Sequence, residues 1–211
     1  MANNEFIEEK VRRSYEKNNY TSVFRNRFVT YFEKSMFDKA LSRLPKQPKV
    51  LDLGCGNGYP YDAYLIDRGC VLTGIDFCHK HIAEAKINNP TATYICDNIK
   101  NYLRTEDVMF DCVTALYSIL HIPRDEHESI FKSIYTRIKS GGYFLITLRN
   151  EDSGELKHKD NFCGSDMYWS YYDYAKYEKM LVNIGFEVIE LEDEQKHGSK
   201  EQHNWVLLKK V

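Results

Sequence analysis

The six cysteines of the 211-residue chain (55, 70, 78, 96, 112 and 163) include no Cys-x-x-Cys pair and no zinc-type spacing. Five fall in or beside apolar, strand-like runs, where a free thiol behaves as a small hydrophobe. That excludes a disulfide scaffold or a zinc module and predicts reduced thiols in a cytoplasmic protein. The opening Met-Ala-Asn-Asn-Glu lacks a charged-then-apolar leader. No apolar run approaches the length of a membrane span. Excess charge is missing too: 29 Lys and Arg against 31 Asp and Glu leave a net charge of −2. A dedicated nucleic-acid binder needs a basic surplus, so nucleic acid is not expected as a partner. Only the first 49 residues are locally basic, with 11 Lys or Arg against 6 Asp or Glu. They read as a solvated helical face, or as a steering patch for an acidic substrate. Internal repeats and low-complexity segments are absent. The length suits one domain with a sizeable core.

What is present centres on residues 50–58, Val-Leu-Asp-Leu-Gly-Cys-Gly-Asn-Gly. A short apolar run ends in an acid and enters a turn with glycine at every second position. Val50, Leu51 and Leu53 suit a buried strand. Gly54, Gly56 and Gly58 remove the Cβ atoms that would hold a ligand off the backbone. A dinucleotide fingerprint needs glycine at 59, which is Tyr59; a phosphate loop needs Gly-Lys-Ser/Thr, which is absent.

Strand and helix patterns alternate from there. Strands are predicted at 50–53, 71–75, 92–96, 110–116 and 143–148, with helices at 59–68, 78–88, 98–104 and after Pro123. Such alternation implies right-handed βαβ units and a parallel sheet covered on both faces. Residues 4–44 read as two helices with a polar break at 18–22, a decoration able to form a lid. Residues 149–170 show no clear periodicity and read as a long loop, functional or disordered. A helix at 173–184, capped by Gly185, precedes two strands, Phe186–Leu191 and Gln202–Lys209. The expected organisation is one domain: lid 1–48, ligand-binding core 49–148, substrate-facing insertion 149–172, and C-terminal helix and hairpin 173–211.

Ligands of open α/β sheets bind at the strand carboxyl ends, and those ends carry suitable groups. Asp76 ends the second strand, where its two acceptor oxygens suit ribose hydroxyls; a cap on the next helix is its lesser reading. Asp97 ends the third strand, followed by Asn98, and Ala115-Leu116-Tyr117-Ser118 follows the fourth. The ordered set Asp52-x-Gly54-x-Gly56-x-Gly58, Gly74-Ile75-Asp76, Asp97, Phe110-Asp111-x-Val113, Leu120-His121-Ile122 and Lys139-Ser140-Gly141-Gly142 resembles the class I S-adenosylmethionine (SAM)-dependent methyltransferases. The likeness is to the small-molecule enzymes of ubiquinone and menaquinone biosynthesis, and it covers roughly residues 45–150. Ser140 departs from the family's usual proline, which affects turn stiffness only.

The resemblance implies a Rossmann-like, doubly wound, seven-stranded sheet, mostly parallel with an antiparallel last strand, helices on both faces and an N-terminal helical lid. It implies SAM as methyl donor and S-adenosylhomocysteine (SAH) as product. The cofactor would meet Asp52, Gly54, Cys55, Gly56, Gly58, Asp76, Phe77, Asp97, Asn98 and Leu116. Tyr15 and Tyr20 of the lid would face it or simply pack. Methyl transfer needs a nucleophile in line with the methyl and sulfur. His121 is the candidate base, with structural hydrogen bonding as its other reading. Tyr117, Arg149, His158, Met167, Trp169, Tyr172 and His203 are candidates for the acceptor wall, since aromatic surfaces suit flat or cationic molecules. The insertion's rings could instead anchor the loop. No metal-ligand pattern appears at a strand end, and His79 and His81, opening a helix, are expected on the surface.

The function expected is methyl transfer to an oxygen, nitrogen or sulfur atom of a small molecule. An enzyme acting on RNA or protein is the alternative; Ala-Leu-Tyr-Ser stands where amino-methylating enzymes carry Asn/Asp-Pro-Pro-Tyr. A non-catalytic SAM-binding module is the third reading.

Overall fold

The computed structural model describes residues 2–17, 27–152, 154–162, 165–199 and 202–211. Five strands run parallel: β1 (Lys49–Leu53), β2 (Val71–Asp76), β3 (Thr93–Cys96), β4 (Phe110–Ala115) and β5 (Ile138–Arg149). With β8 (Phe186–Asp193) and β9 (His203–Lys210) they form one sheet in the order β3-β2-β1-β4-β5-β9-β8. β9 is antiparallel to both of its neighbours. The sheet is thus the seven-stranded, mostly parallel one expected. From β1 the chain steps outward to β2 and β3, then returns to β4 on the other side of β1. Strand ends diverge at that reversal and leave a crevice.

Side-chain alternation fills both faces. Leu51, Leu53, Val113, Phe144 and Ile146 belong to a core with residues of α5 (Ile99–Thr105), α6 (His127–Arg137) and α7 (Tyr174–Ile184). Val50, Leu72, Cys112 and Leu145 face the other way, among residues of α2 (Tyr31–Leu41), α3 (Tyr61–Asp67) and α4 (His79–Asn88). Short polar devices set the helix ends. Thr30 and Glu33 form a reciprocal capping box on α2. Asp173 accepts from Lys176 N at the start of α7, and Gly185 ends that helix at φ +117°.

Three expectations change. Residues 149–170 are not a structureless loop: β6 (Gly154–Phe162) and β7 (Ser165–Tyr171) form a separate antiparallel hairpin. Its periodicity is hidden because β7 is buried on both sides. Met167 and Tyr168 join Ile7 and Val11 of α1 (Ala2–Lys17), while Tyr171 joins the sheet core. Ser140-Gly141-Gly142 does not end a helix; α6 stops at Arg137 and the glycines lie within β5. Pairing jumps there from Phe110–Ile138 to Cys112–Tyr143, so the extra residues bulge. A Cβ on Gly142 would press on the Asp111 carbonyl. Finally, α2 begins at Tyr31, leaving Phe28 exposed ahead of it. The polar break at 18–22 lies outside the described residues. Among the described residues, no helix is long and apolar enough to cross a membrane.

Candidate active site

The carboxyl ends of β1 to β4 open into one cavity of about 1060 Å³, mouth included. Its floor is the glycine turn. Gly54 N and Cys55 N both donate to Ile75 O, at 2.7 and 3.0 Å, which pins the turn to the end of β2. The three glycines hold φ of +84°, +55° and +73° for different reasons. A Cβ on Gly54 would collide with Ser118, and one on Gly58 would sit 2.6 Å from Asn89 Nδ2 and Tyr94 Oη. A Cβ on Gly56 would meet nothing within 4 Å. Only Gly54 and Gly56 of the three line the cavity.

Asp76 is buried and braces the turn. Its Oδ2 accepts from Gly56 N at 3.0 Å and its Oδ1 from Cys78 N at 2.8 Å. It does not cap α4, whose N-cap is Cys78. Asp97 accepts from Asn98 N at 2.8 Å and, through both oxygens, from Asn101 Nδ2 at 2.9 Å. Asn98, not Asp97, caps α5. Phe77, Asp97, Asn98 and Ile99 line one end of the cavity; Tyr59, Tyr61, Tyr117 and Arg27 also line it.

His81 is buried rather than exposed, because α1 covers it: its ring lies 5.3 Å from that of Tyr15. Its Nδ1 stands 3.4 Å from Asp76 Oδ1. Asp76, Cys78 and His81 thereby bring three metal-type ligand atoms within 4.8 Å of one another. Burial pushes the Cys78 thiol up to about 11. His79 stays exposed.

His121 is half-buried behind Tyr15. Its Nδ1 donates to Tyr168 O at 2.9 Å, leaving Nε2 to accept from the Tyr15 hydroxyl at 2.7 Å. Desolvation lowers its pKa to about 4, so the ring is neutral at pH 7. The pair ties α1, the segment after β4 and β7 together at the cavity wall.

Tyr117 has φ +55°, a strained value for a non-glycine residue. Its N donates to Thr147 Oγ1 at 2.6 Å, and its hydroxyl donates to Glu194 Oε2 at 2.8 Å. The Tyr117 hydroxyl oxygen in turn accepts from Trp205 Nε1 at 3.2 Å and Arg27 Nη2 at 3.3 Å. Burial pushes this phenol above its ordinary value. Burial also raises Glu194, but hydrogen bonds from His203 and Tyr117 hold it below the ordinary value. Arg27 lies over the rings of Tyr61 and Tyr117, at 5.2 and 5.1 Å, and its Nη2 meets Glu33 at 3.1 Å.

The cavity gathers eleven of the residues singled out in the sequence: Gly54, Cys55, Gly56, Asp76, Phe77 and Asp97, with Asn98, Leu116, Tyr15, Tyr117 and His121. Asp52 and Gly58 are not in its lining. Arg149 lies over Tyr171, at 5.1 Å, and Tyr172 sits between Arg124 and Lys176. Met167 is buried beneath α1. Trp169 lies beyond His121, its ring 6.1 Å away, and His203 is buried on Glu194 at 2.8 Å. None of these five lines the cavity. Tyr20 and the side chain of His158 lie outside the described residues. The lining also includes Ser118 of the stretch expected after β4, and Glu8, Arg27 and Tyr61, which sequence reasoning missed. Glu8 comes from α1 and carried no local signal.

The profile of the methyltransferase-domain family matches residues 23–191. The chain belongs to that family. This methyltransferase domain is 28% identical over 109 residues to the ubiquinone biosynthesis O-methyltransferase of Chromobacterium violaceum, a match over 50% of this chain and 46% of that protein. It is 27% identical over 165 residues to 24-methylenesterol C-methyltransferase 3 of Arabidopsis thaliana, covering 72% of this chain and 45% of the relative. The methyltransferase domain therefore spans about half the length of these curated relatives. Among solved structures it resembles the 1,6-didemethyltoxoflavin-N1-methyltransferase of Burkholderia thailandensis, with bound 1,6-didemethyltoxoflavin and S-adenosylhomocysteine. The TM-score is 0.74 at 14% identity, over 99% of this chain and 90% of that one. At that identity the likeness is one of fold.

Proposed function

We propose that this methyltransferase domain moves a methyl group from SAM to an oxygen, nitrogen or sulfur atom of a small molecule. The observation that carries this reading is the convergence of four strand ends, with the bare Gly56 backbone, Asp76, Asp97 and Leu116, on one cavity. The residues fit the cofactor. Open space at Gly56 admits a ligand against the turn. Asp76 keeps lone pairs for ribose hydroxyls beyond its two backbone bonds. Three carboxylates, Glu8, Asp76 and Asp97, against one guanidinium, Arg27, suit a cationic ligand. Asp97, Asn98 and Phe77 would hold the base, and Arg27 the cofactor's carboxylate.

When bound, SAM supplies an electrophilic methyl on a sulfonium. The chain's part is to place the acceptor atom in line, keep water out and leave the nucleophile unprotonated. His121 serves better as a brace than as a base: it is neutral, weakly basic, and its Nε2 is occupied by Tyr15. A strong nucleophile needs no base, and an acceptor proton can leave to solvent. Glu8 and Tyr15 of α1 at the cavity wall favour a small acceptor over RNA or protein. The same reading places the protein in the cytoplasm, supported by five free cysteines among the described residues.

Titration calorimetry with SAM tests the donor, and a labelled-methyl screen against a metabolite extract tests the acceptor. SAM binding that weakens in Asp76→Ala, with label in small molecules, is expected. No binding at about 1 mM SAM, or label confined to RNA or protein, overturns the reading.

A further inference from the structure

Behind the glycine turn lie two buried acids that the proposed chemistry leaves unused. Asp52 on β1 is 5% exposed and Asp62, in the first turn of α3, is 1% exposed. Asp52 Oδ1 accepts from Thr114 Oγ1 at 2.5 Å, and Asp62 Oδ2 from the Tyr94 hydroxyl at 2.8 Å. The two carboxyl groups lie within reach of each other. Asp62 Oδ1 is buried and receives no donor from any other group. Among the described residues, no lysine, arginine or histidine pairs with either acid.

Two carboxylates within reach of each other, without a cation and with one oxygen undonated, do not both ionise; one proton between them supplies the missing donor. Burial raises both acids above the ordinary carboxylate range. The groups facing the pair come from every neighbouring element: Thr114 of β4, Tyr94 of β3, Cys55 of the turn and Asp76 of β2. Asn89, just after α4, donates to Tyr94 at 3.1 Å. Asp52 stands two residues ahead of Gly54, and Gly54 and Cys55 line the cavity. The pair therefore stands behind the turn that floors the ligand space.

We propose that Asp52 and Asp62 share one proton, and that Asp62 thereby sets the preference of this site for a sulfonium over a thioether. This rests on the methyl-donor reading above. SAM carries one more positive charge than SAH. Entry of that charge favours loss of the shared proton, which goes to solvent, and the doubly ionised pair then attracts the cation more strongly. After methyl transfer the extra charge is gone, the pair recovers a proton, and the thioether is held less tightly.

The test is calorimetry of SAM and SAH on the full chain, in buffers of different ionisation enthalpy, from about pH 5 to about pH 8. The wild type is expected to release protons on binding SAM and fewer on binding SAH. Its SAM-to-SAH affinity ratio should rise roughly three- to tenfold across that range, the size expected of one added charge at several ångströms. Asp62→Asn replaces the acid by an isostere of its protonated form, so the ratio should become flat and the excess proton release vanish. Equal proton release by the two ligands, or unchanged behaviour in Asp62→Asn, overturns the proposal. Ligand-free denaturation decides the proton sharing separately. Folded-state values raised above the unfolded ones mean stability lost as pH rises. Asp62→Asn should thus gain thermal stability relative to wild type between about pH 5 and about pH 8, and a constant difference overturns the shared proton. Failure of both ligands to bind overturns the donor reading and the selectivity with it, while the denaturation result still reports on the pair.

Discussion

Gly56 and Gly58 have the same left-handed backbone but different neighbours, and substitution separates the two. At Gly58 an alanine meets both the backbone strain and the Asn89–Tyr94 contact. Gly58→Ala should lose about 2 kcal/mol or more in chemical denaturation. At Gly56 the methyl enters open space. Gly56→Ala should lose only about 1 kcal/mol, while SAM affinity measured by calorimetry falls at least about tenfold. Asp76 acts through two backbone donors as well as through its own lone pairs. Asp76→Ala strands Gly56 N and Cys78 N, so it should weaken SAM binding more than Asp76→Asn, which keeps one acceptor oxygen.

Helix α1 is attached to the rest of the fold by a small apolar patch and by polar ties. Ile7 and Val11 meet Met167 and Tyr168, Tyr15 bonds to His121, and Glu8 accepts from Asn98 Nδ2 at 2.6 Å. A helix held this way opens at lower free energy than the sheet core. Tyr15→Phe should speed hydrogen exchange across α1 and raise the KM for SAM about three- to tenfold, the cost of one buried hydrogen bond. Its pH–rate profile should keep the wild-type shape. Loss of an ascending limb would instead make His121, through Tyr15, the base.

Two histidines, His127 in the core and the half-buried His121, contribute to the acid response of the whole molecule. His121 and His127 are each lowered by desolvation to about 4. In both, the folded state holds fewer protons than the unfolded chain between that value and the ordinary histidine value of about 6.5. Stability is therefore fully present above about 6.5 and is lost as pH falls toward 4. His127 bridges Tyr177 and Ile122 O, each at 2.8 Å, so it joins α6 to α7 and to the segment after β4. His127→Asn should lower the melting temperature at neutral pH and flatten its fall between about pH 6.5 and pH 4. An unchanged slope would assign the acid sensitivity to other groups. The Asp52–Asp62 pair acts with opposite sign, so Asp62→Asn combined with wild-type histidines should steepen the acid limb.

The sheet was legible in the sequence because its information is local. Apolar runs at strand length, helix-period stripes and glycine or asparagine stops locate β1 to β4 and α3 to α7, though not the start of β5, and strand ends mark Asp76 and Asp97. Short-range chemistry also distinguishes this turn from dinucleotide and phosphate-loop turns. The hairpin at β6 and β7 was hidden because burial on both sides erases the two-residue alternation that reveals a strand. Likewise, nothing local to Arg27, Glu8 or Asp62 reveals its setting. Arg27 comes between Tyr61 and Tyr117, Glu8 reaches Asn98, and Asp62 meets Asp52 only when separate elements assemble. The sequence alone determined the alternation of strands and helices and which residues stand at the strand ends. Tertiary structure decided which of those residues share the cavity, which glycine is bare to it, and which acid must keep a proton. Those outcomes depend on distances between elements far apart in the chain, which no local period encodes.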